Sequence, residues 1–190
     1  MKSIAIYCGS SSGTDPIYMK DAYQLGGLLA AEGIDLVYGG ARVGLMGAVA
    51  DGALDIGGKV IGVLPNFLGS QEIAHPNLTE LIMVETMHER KAIIEGLVDA
   101  AIALPGGFGT MDELFEMLTW GQLNIHEKAI GILNTHGYYN YLLQQIQHMV
   151  KDGFLKKINA EMLIIGQNSS DLLEQLKSYQ PASTGKWINP

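Results

Sequence analysis

Hydrophobic and polar residues alternate in two rhythms along this chain. Continuous apolar runs of strand length occur at Ser3–Cys8, Asp35–Tyr38, Lys59–Leu64, Leu81–Val84, Ala100–Leu104, Ala129–Leu133 and Met162–Ile165. Most of them do not alternate in polarity, as expected of strands buried on both faces. Between them, apolar positions recur at helical spacing. This predicts helices over Pro16–Glu32, Val43–Gly57, Met87–Asp99, Met111–Leu123, Tyr138–Asp152 and Ser170–Tyr179. Asp15-Pro16 reads as an N-cap followed by proline at the first helical position, and Glu32-Gly33 as a stop. Strand and helix in alternation predict an α/β fold: a doubly wound, mostly parallel sheet of about seven strands with helices on both faces. Residues 1–180 read as one domain, and Pro181–Pro190, polar with proline at both ends, as a tail. Ligands of such sheets bind beyond the carboxyl ends of the strands.

Composition narrows the function classes. With 190 residues, 47% apolar and 17% charged, the chain suits one substantial core. The net charge of −8 and the lack of any Lys/Arg run argue against a nucleic-acid partner. The few cations then matter, because an anionic ligand needs local ones. The N-terminus runs into a strand without a signal-peptide pattern, and no stretch of eighteen apolar residues suggests a membrane span. One cysteine, Cys8, permits no internal disulfide and fits a reducing, cytoplasmic setting. No metal and no cofactor is expected.

Three strands run into glycine-rich turns at the ligand edge: Cys8-Gly9-Ser10-Ser11-Ser12-Gly13, Tyr38-Gly39-Gly40-Ala41-Arg42-Val43-Gly44-Leu45-Met46-Gly47 and Leu104-Pro105-Gly106-Gly107-Phe108-Gly109-Thr110. Glycines let backbone N–H groups face a phosphate, and a following helix adds its positive end. Gly9, Ser10, Gly40, Gly44 and Gly106 are therefore candidate approach points for an anionic ligand. The second loop has the wrong spacing for a dinucleotide fingerprint, and the strand after it ends in Leu64-Pro65-Asn66 without the acidic residue a ribose needs. The nucleoside-triphosphatase pattern G-x-x-x-x-G-K-[ST] is absent.

Two charged residues stand out. Thr110 and Glu113 have the T-x-x-E spacing of a capping box, with Thr110 capping a helix and Glu113 reaching back. Alternatively, Glu113 projects a carboxylate into the site, where the helix dipole keeps it ionised. Arg90 shares an apolar stripe with Met87, Ile94 and Leu97, where a guanidinium needs a partner. It pairs with a nearby acid, reaches the surface along its stem, or clamps a substrate with its planar fork.

These residues carry a resemblance. Met87-His88-Glu89-Arg90-Lys91 followed by Pro105-Gly106-Gly107-Phe108-Gly109-Thr110-Met111-Asp112-Glu113 is similar to the paired motif of the Lonely Guy (LOG) family. Those are cytokinin riboside 5′-monophosphate phosphoribohydrolases on a Rossmann-like fold, long mislabelled as lysine decarboxylases. The resemblance covers nearly the whole chain, including Gly9–Gly13, Val37–Gly40, Val43–Gly47, Trp120–His126 and Gly137–Asn140. Ala41 and Asn124 depart from the common pattern. Nothing resembles a pyridoxal-phosphate lysine site.

The resemblance implies hydrolysis of the N-glycosidic bond of a nucleoside 5′-monophosphate, AMP or N6-prenylated AMP, to free base and ribose 5-phosphate. It implies Arg90 and Glu113 as the catalytic pair. Gly107, Gly109 and Thr110 would hold phosphate, and Lys91, Glu72 and Thr119 would line the ligand, with Met87 beside Arg90. A homodimer is expected: helices carrying Met87, Ile93, Ile94, Met111, Leu114, Phe115, Met117 and Leu118 offer more apolar surface than one sheet side needs, and the resemblance implies the same, since smaller members of the family look like dimers. The alternative is a nucleotide or molybdenum-cofactor carrier on the same kind of fold, binding without turnover; such a carrier needs the loops but not the Glu113 carboxylate. A glycosidase of nucleotides without any cytokinin role is the third.

Overall fold

The computed structural model describes residues 1–68 and 73–181. Seven strands form one parallel sheet: β1 (Ser3–Tyr7), β2 (Asp35–Tyr38), β3 (Val60–Pro65), β4 (Glu80–Val84), β5 (Ala100–Ala103), β6 (Ala129–Leu133) and β7 (Leu163–Gly166). The helices are α1 (Pro16–Ala31), α2 (Gly44–Leu54), α3 (Met87–Leu97), α4 (Phe108–Gln122), α5 (Asn140–Lys151), α6 (Lys157–Ala160) and α7 (Ser169–Ser178). The six long helices and seven strands match the sequence expectation to within a few residues. The four-residue α6 was not foreseen, because a single turn has no measurable period. Of the expected tail, only Pro181 lies within the described residues.

The strand order is β4-β3-β2-β1-β5-β6-β7. The chain winds outward from β1 to one side, then returns to β5 and winds to the other. Each face of the sheet carries its own core, one built on Ile4, Ile6, Leu25, Leu36 and Leu172, the other on Ala5, Val37, Ile94, Leu114 and Ile130. Adjacent strand residues thus feed opposite cores, which explains the unbroken apolar runs. Ile94, Leu114 and Met117, three residues of the expected dimer surface, are buried in this second core. Leu118 packs half-buried against the same core, and Phe115 is half-buried.

Local chemistry sets the ends of α1 as foreseen. The Asp15 carboxylate accepts from the Ile17 amide at 3.0 Å, and Gly33 takes the left-handed φ of 67° after the last turn. Among the described residues, no helix is long and apolar enough to cross a membrane.

Candidate active site

Strands β1 and β5 are neighbours, yet their following helices leave in opposite directions. Their loops must part, and a crevice opens between them. The two loops stay tied at one point, where the Gly9 N–H donates to the Pro105 carbonyl at 3.0 Å. The loop before α2 packs on the first: the Leu45 N–H donates to the Gly9 carbonyl at 3.1 Å. Gly44 makes this approach possible, since a Cβ there would lie 2.4 Å from the Ser10 carbonyl carbon.

Helix α4 starts at Phe108, three residues earlier than the apolar pattern suggests, with Gly107 as its N-cap. This overturns the capping-box reading. Thr110 lies inside the first turn, 3% exposed, and supplies no cap. The N–H groups of Gly107, Phe108, Gly109 and Thr110 find no acceptor among the described residues. They form a row of free donors at the positive end of a fifteen-residue helix.

Glu113 follows one turn later and faces α3. Its Oε1 lies 3.5 Å from Nη2 of Arg90, and both side chains are about nine-tenths buried. Arg90 Nη1 lies 3.8 Å from the sulfur of Met87, and its Nε is buried without a partner among the described residues. The guanidinium fork therefore has donors left over for a ligand. Burial raises the Glu113 carboxyl to about 7; Arg90 opposes the rise, Asp112 adds to it, Lys91 opposes it and Glu116 adds. The helix dipole was expected to keep Glu113 ionised; burial works against that, and it is the largest cause of the rise. Burial likewise pushes the Cys8 thiol up, so Cys8 lines the cleft as a neutral group.

These groups surround a cleft of about 290 Å³. Of the expected site residues, Gly9, Ser10, Met87, Arg90, Gly107, Gly109, Thr110 and Glu113 line it. Past Gly9, Ser10 and Gly107 it continues into a second hollow of about 330 Å³, which Gly106 lines together with Tyr18 and Tyr138.

The chain is similar to proteins already known. Residues 46–176 match a family model described as "Possible lysine decarboxylase". The chain is 46% identical over 180 residues to cytokinin riboside 5′-monophosphate phosphoribohydrolase LOG7 of Arabidopsis thaliana, covering 95% of this chain and 83% of that protein. It is 42% identical over 184 residues to LOG5 of the same plant, covering 97% and 81%. The chain belongs to the LOG family. Solved structures share its architecture. The molybdenum cofactor binding protein of Rippkaea orientalis superposes with a TM-score of 0.70 at 25% identity, over 93% of this chain and 96% of that one. The Moco carrier protein of Chlamydomonas reinhardtii gives 0.70 at 21%, over 93% and 95%, and shares the fold alone.

Four of the expected site residues, Lys91, Gly40, Gly44 and Thr119, do not line the cleft. Lys91 is held by Asp112 at 2.8 Å and Glu116 at 3.3 Å and does not line the cleft, because the next residue along a helix turns 100° away from Arg90. Gly40 is turned toward Leu64 and Leu81, and Gly44 toward the Ser10 loop, so both shape the site from behind. Thr119 lines a separate hollow between α4 and α5. Glu72 lies outside the described residues. Sequence reasoning missed Gly39, Met46 and Tyr138. Gly39 had a signal, being one of two glycines that end β2, and Tyr138 lies in the quoted Gly137–Asn140 motif.

Proposed function

We propose that this chain hydrolyses the N-glycosidic bond of a purine nucleoside 5′-monophosphate, releasing free base and ribose 5-phosphate. The observation that carries this reading is the buried Arg90–Glu113 pair facing the same cleft as the free amides of Gly107 to Thr110. A 5′-phosphate on those amides places the ribosyl ring beside Glu113. As the C1′–N9 bond breaks, its electron pair leaves with the base and positive charge builds on the ring. The ionised Glu113 carboxylate stabilises that charge and takes a proton from the water whose oxygen bonds to C1′. Glu113 then releases its proton to solvent and the departing base takes one from solvent, so substrate plus water becomes base plus sugar phosphate. Arg90, always charged, cannot act as base; it anchors Glu113 and donates to the ribose. Met46, Met87 and Ile6 give the cleft an apolar wall suited to the base.

The names of the relatives support the same chemistry, which each of those proteins is named for. The fold is also that of molybdenum-cofactor carriers, but a carrier has no use for the buried carboxylate. The test is incubation with AMP and with isopentenyl-AMP, followed by chromatography. Free base and ribose 5-phosphate are expected. Release of inorganic phosphate, or tight binding with no product, overturns the reading.

A homodimer completes this proposal. Thr119 shares its hollow of about 190 Å³ between α4 and α5 with the apolar Phe115, Leu118, Met149 and Leu155. A second copy covering that hollow accounts for these half-exposed side chains. Sedimentation at micromolar concentration should give twice the 20.5 kDa chain mass; a monomer refutes pairing. The buried, reduced Cys8 fits a cytoplasmic location.

A further inference from the structure

Two adjacent tyrosines reach back to the loop that carries the amide row. The Tyr139 hydroxyl donates to the Leu104 carbonyl at 2.6 Å, and the Tyr138 hydroxyl donates to the Gly106 carbonyl at 2.6 Å. Both come from the turn between β6 and α5, where the left-handed residues His136 (φ 51°) and Gly137 (φ 71°) reverse the chain. Asn134 fixes that turn by accepting from the Tyr139 amide at 2.8 Å and donating to Asn140 at 2.9 Å. The Tyr138 ring is held edge-on between Tyr18 and Tyr139, with centroids 5.9 and 5.0 Å away.

The two bonds look alike but act on different peptides. The carbonyl of Leu104 belongs to the Leu104–Pro105 peptide, which has no N–H. The carbonyl of Gly106 belongs to the Gly106–Gly107 peptide, whose N–H is the first of the free donors. In a trans peptide the C=O and N–H point opposite ways. Holding the carbonyl toward Tyr138 therefore aims the Gly107 N–H away from Tyr138. Gly107 lines both hollows, and the one that lacks Tyr138 is the Arg90–Glu113 cleft. A peptide between two glycines has no side chain to resist rotation, so it is the easiest in the loop to flip. Flipped, it would present a carbonyl to the anion site and repel a phosphate.

We infer that Tyr138 is a positioning residue: its hydroxyl locks the Gly106–Gly107 peptide with the N–H facing the phosphate, and so sets the preference for a 5′-monophosphate over the unphosphorylated nucleoside. This rests on the proposed phosphate anchor. Tyr138 touches no reacting atom; it acts through Gly107.

The experiment compares Tyr138→Phe with Tyr139→Phe, each losing one hydroxyl. Measured for each are Tm, kcat and KM for AMP and for adenosine, and inhibition by inorganic phosphate. For Tyr138→Phe, KM for AMP and the phosphate inhibition constant should rise roughly three- to tenfold, the scale of one hydrogen bond. Its kcat for AMP, its kcat/KM for adenosine and its Tm should stay within about twofold and a few degrees of wild type. Tyr139→Phe, which removes a buried bond to a peptide without an N–H, should lower Tm and leave the AMP-to-adenosine preference unchanged. If both variants lose stability and shift kinetics alike, or Tyr138→Phe leaves phosphate inhibition unchanged, the positioning role is refuted. If wild type itself shows no preference for AMP over adenosine and no phosphate inhibition, the phosphate anchor fails, a result distinct from failure of the Tyr138 role.

Discussion

Gly39 makes room for Arg90: a Cβ at position 39 would stand 2.1 Å from the guanidinium Nη2. The atom it meets is the far end of a flexible side chain, so the fold can absorb the methyl while the guanidinium cannot keep its place. Gly39→Ala should leave Tm within about 4 °C of wild type, roughly 1 kcal/mol at this size. Its kcat/KM should fall at least about tenfold, because displacement by an ångström is enough to disturb a catalytic arrangement. Thermal melts beside steady-state kinetics check this; full activity would show that Arg90 works from another position.

Glu113→Gln keeps the shape of the side chain and removes its charge. Turnover should drop by at least about a hundredfold, the usual scale of a lost general base. Nucleotide affinity measured by calorimetry should change far less. An unimpaired Gln variant would leave the carboxylate without a chemical task.

The position of the Glu113 titration fixes the direction of the pH effect. Burial raises it to about 7, and the proposed role needs the ionised form. Consequently kcat should climb as pH rises through about 7 and level above it. The saturated rate is the one to follow, because a substrate phosphate has a second ionisation near pH 6 that enters kcat/KM. Lys91 opposes the rise in the Glu113 value. Lys91→Met should therefore move the midpoint upward, while changing KM for AMP less than threefold or so. A rate that falls across this window would assign Glu113 the role of acid.

Gly107 and Gly109 are free of steric demand from the protein itself: a Cβ on either meets nothing within 4 Å. Neither has a left-handed φ. Alanine at either site should fold with an unchanged Tm, or a slightly higher one at Gly109 inside the helix. KM for AMP should nonetheless rise at least about tenfold, since the added methyl occupies the surface where the phosphate approaches. Unchanged kinetics in both variants would make this loop a turn and nothing more.

Much of the molecule was written in local pattern. Unbroken apolar runs gave the strands, because a parallel strand covered on both faces has no polar side to show. Asp15, Pro16 and Gly33 marked the ends of α1 through backbone bonding that depends only on near neighbours. The glycine loops and the motifs around Arg90 and Glu113 carried the resemblance to the LOG family. Beyond that, the outcome depended on what came to lie against what. Arg90 and Glu113 sit 23 positions apart on separate helices, and only the sheet order puts them 3.5 Å from each other. Lys91, adjacent to Arg90 in sequence, was turned to Asp112 and Glu116 by the helical rotation. Thr110 and Glu113 were a capping box by spacing, until the helix began at Phe108 and the pair faced different neighbours. The charge state of Glu113 followed the same rule. A helix dipole can be read from sequence, but desolvation depends on the atoms that exclude water, and those arrive from α3, α4 and β1 only when the chain has folded.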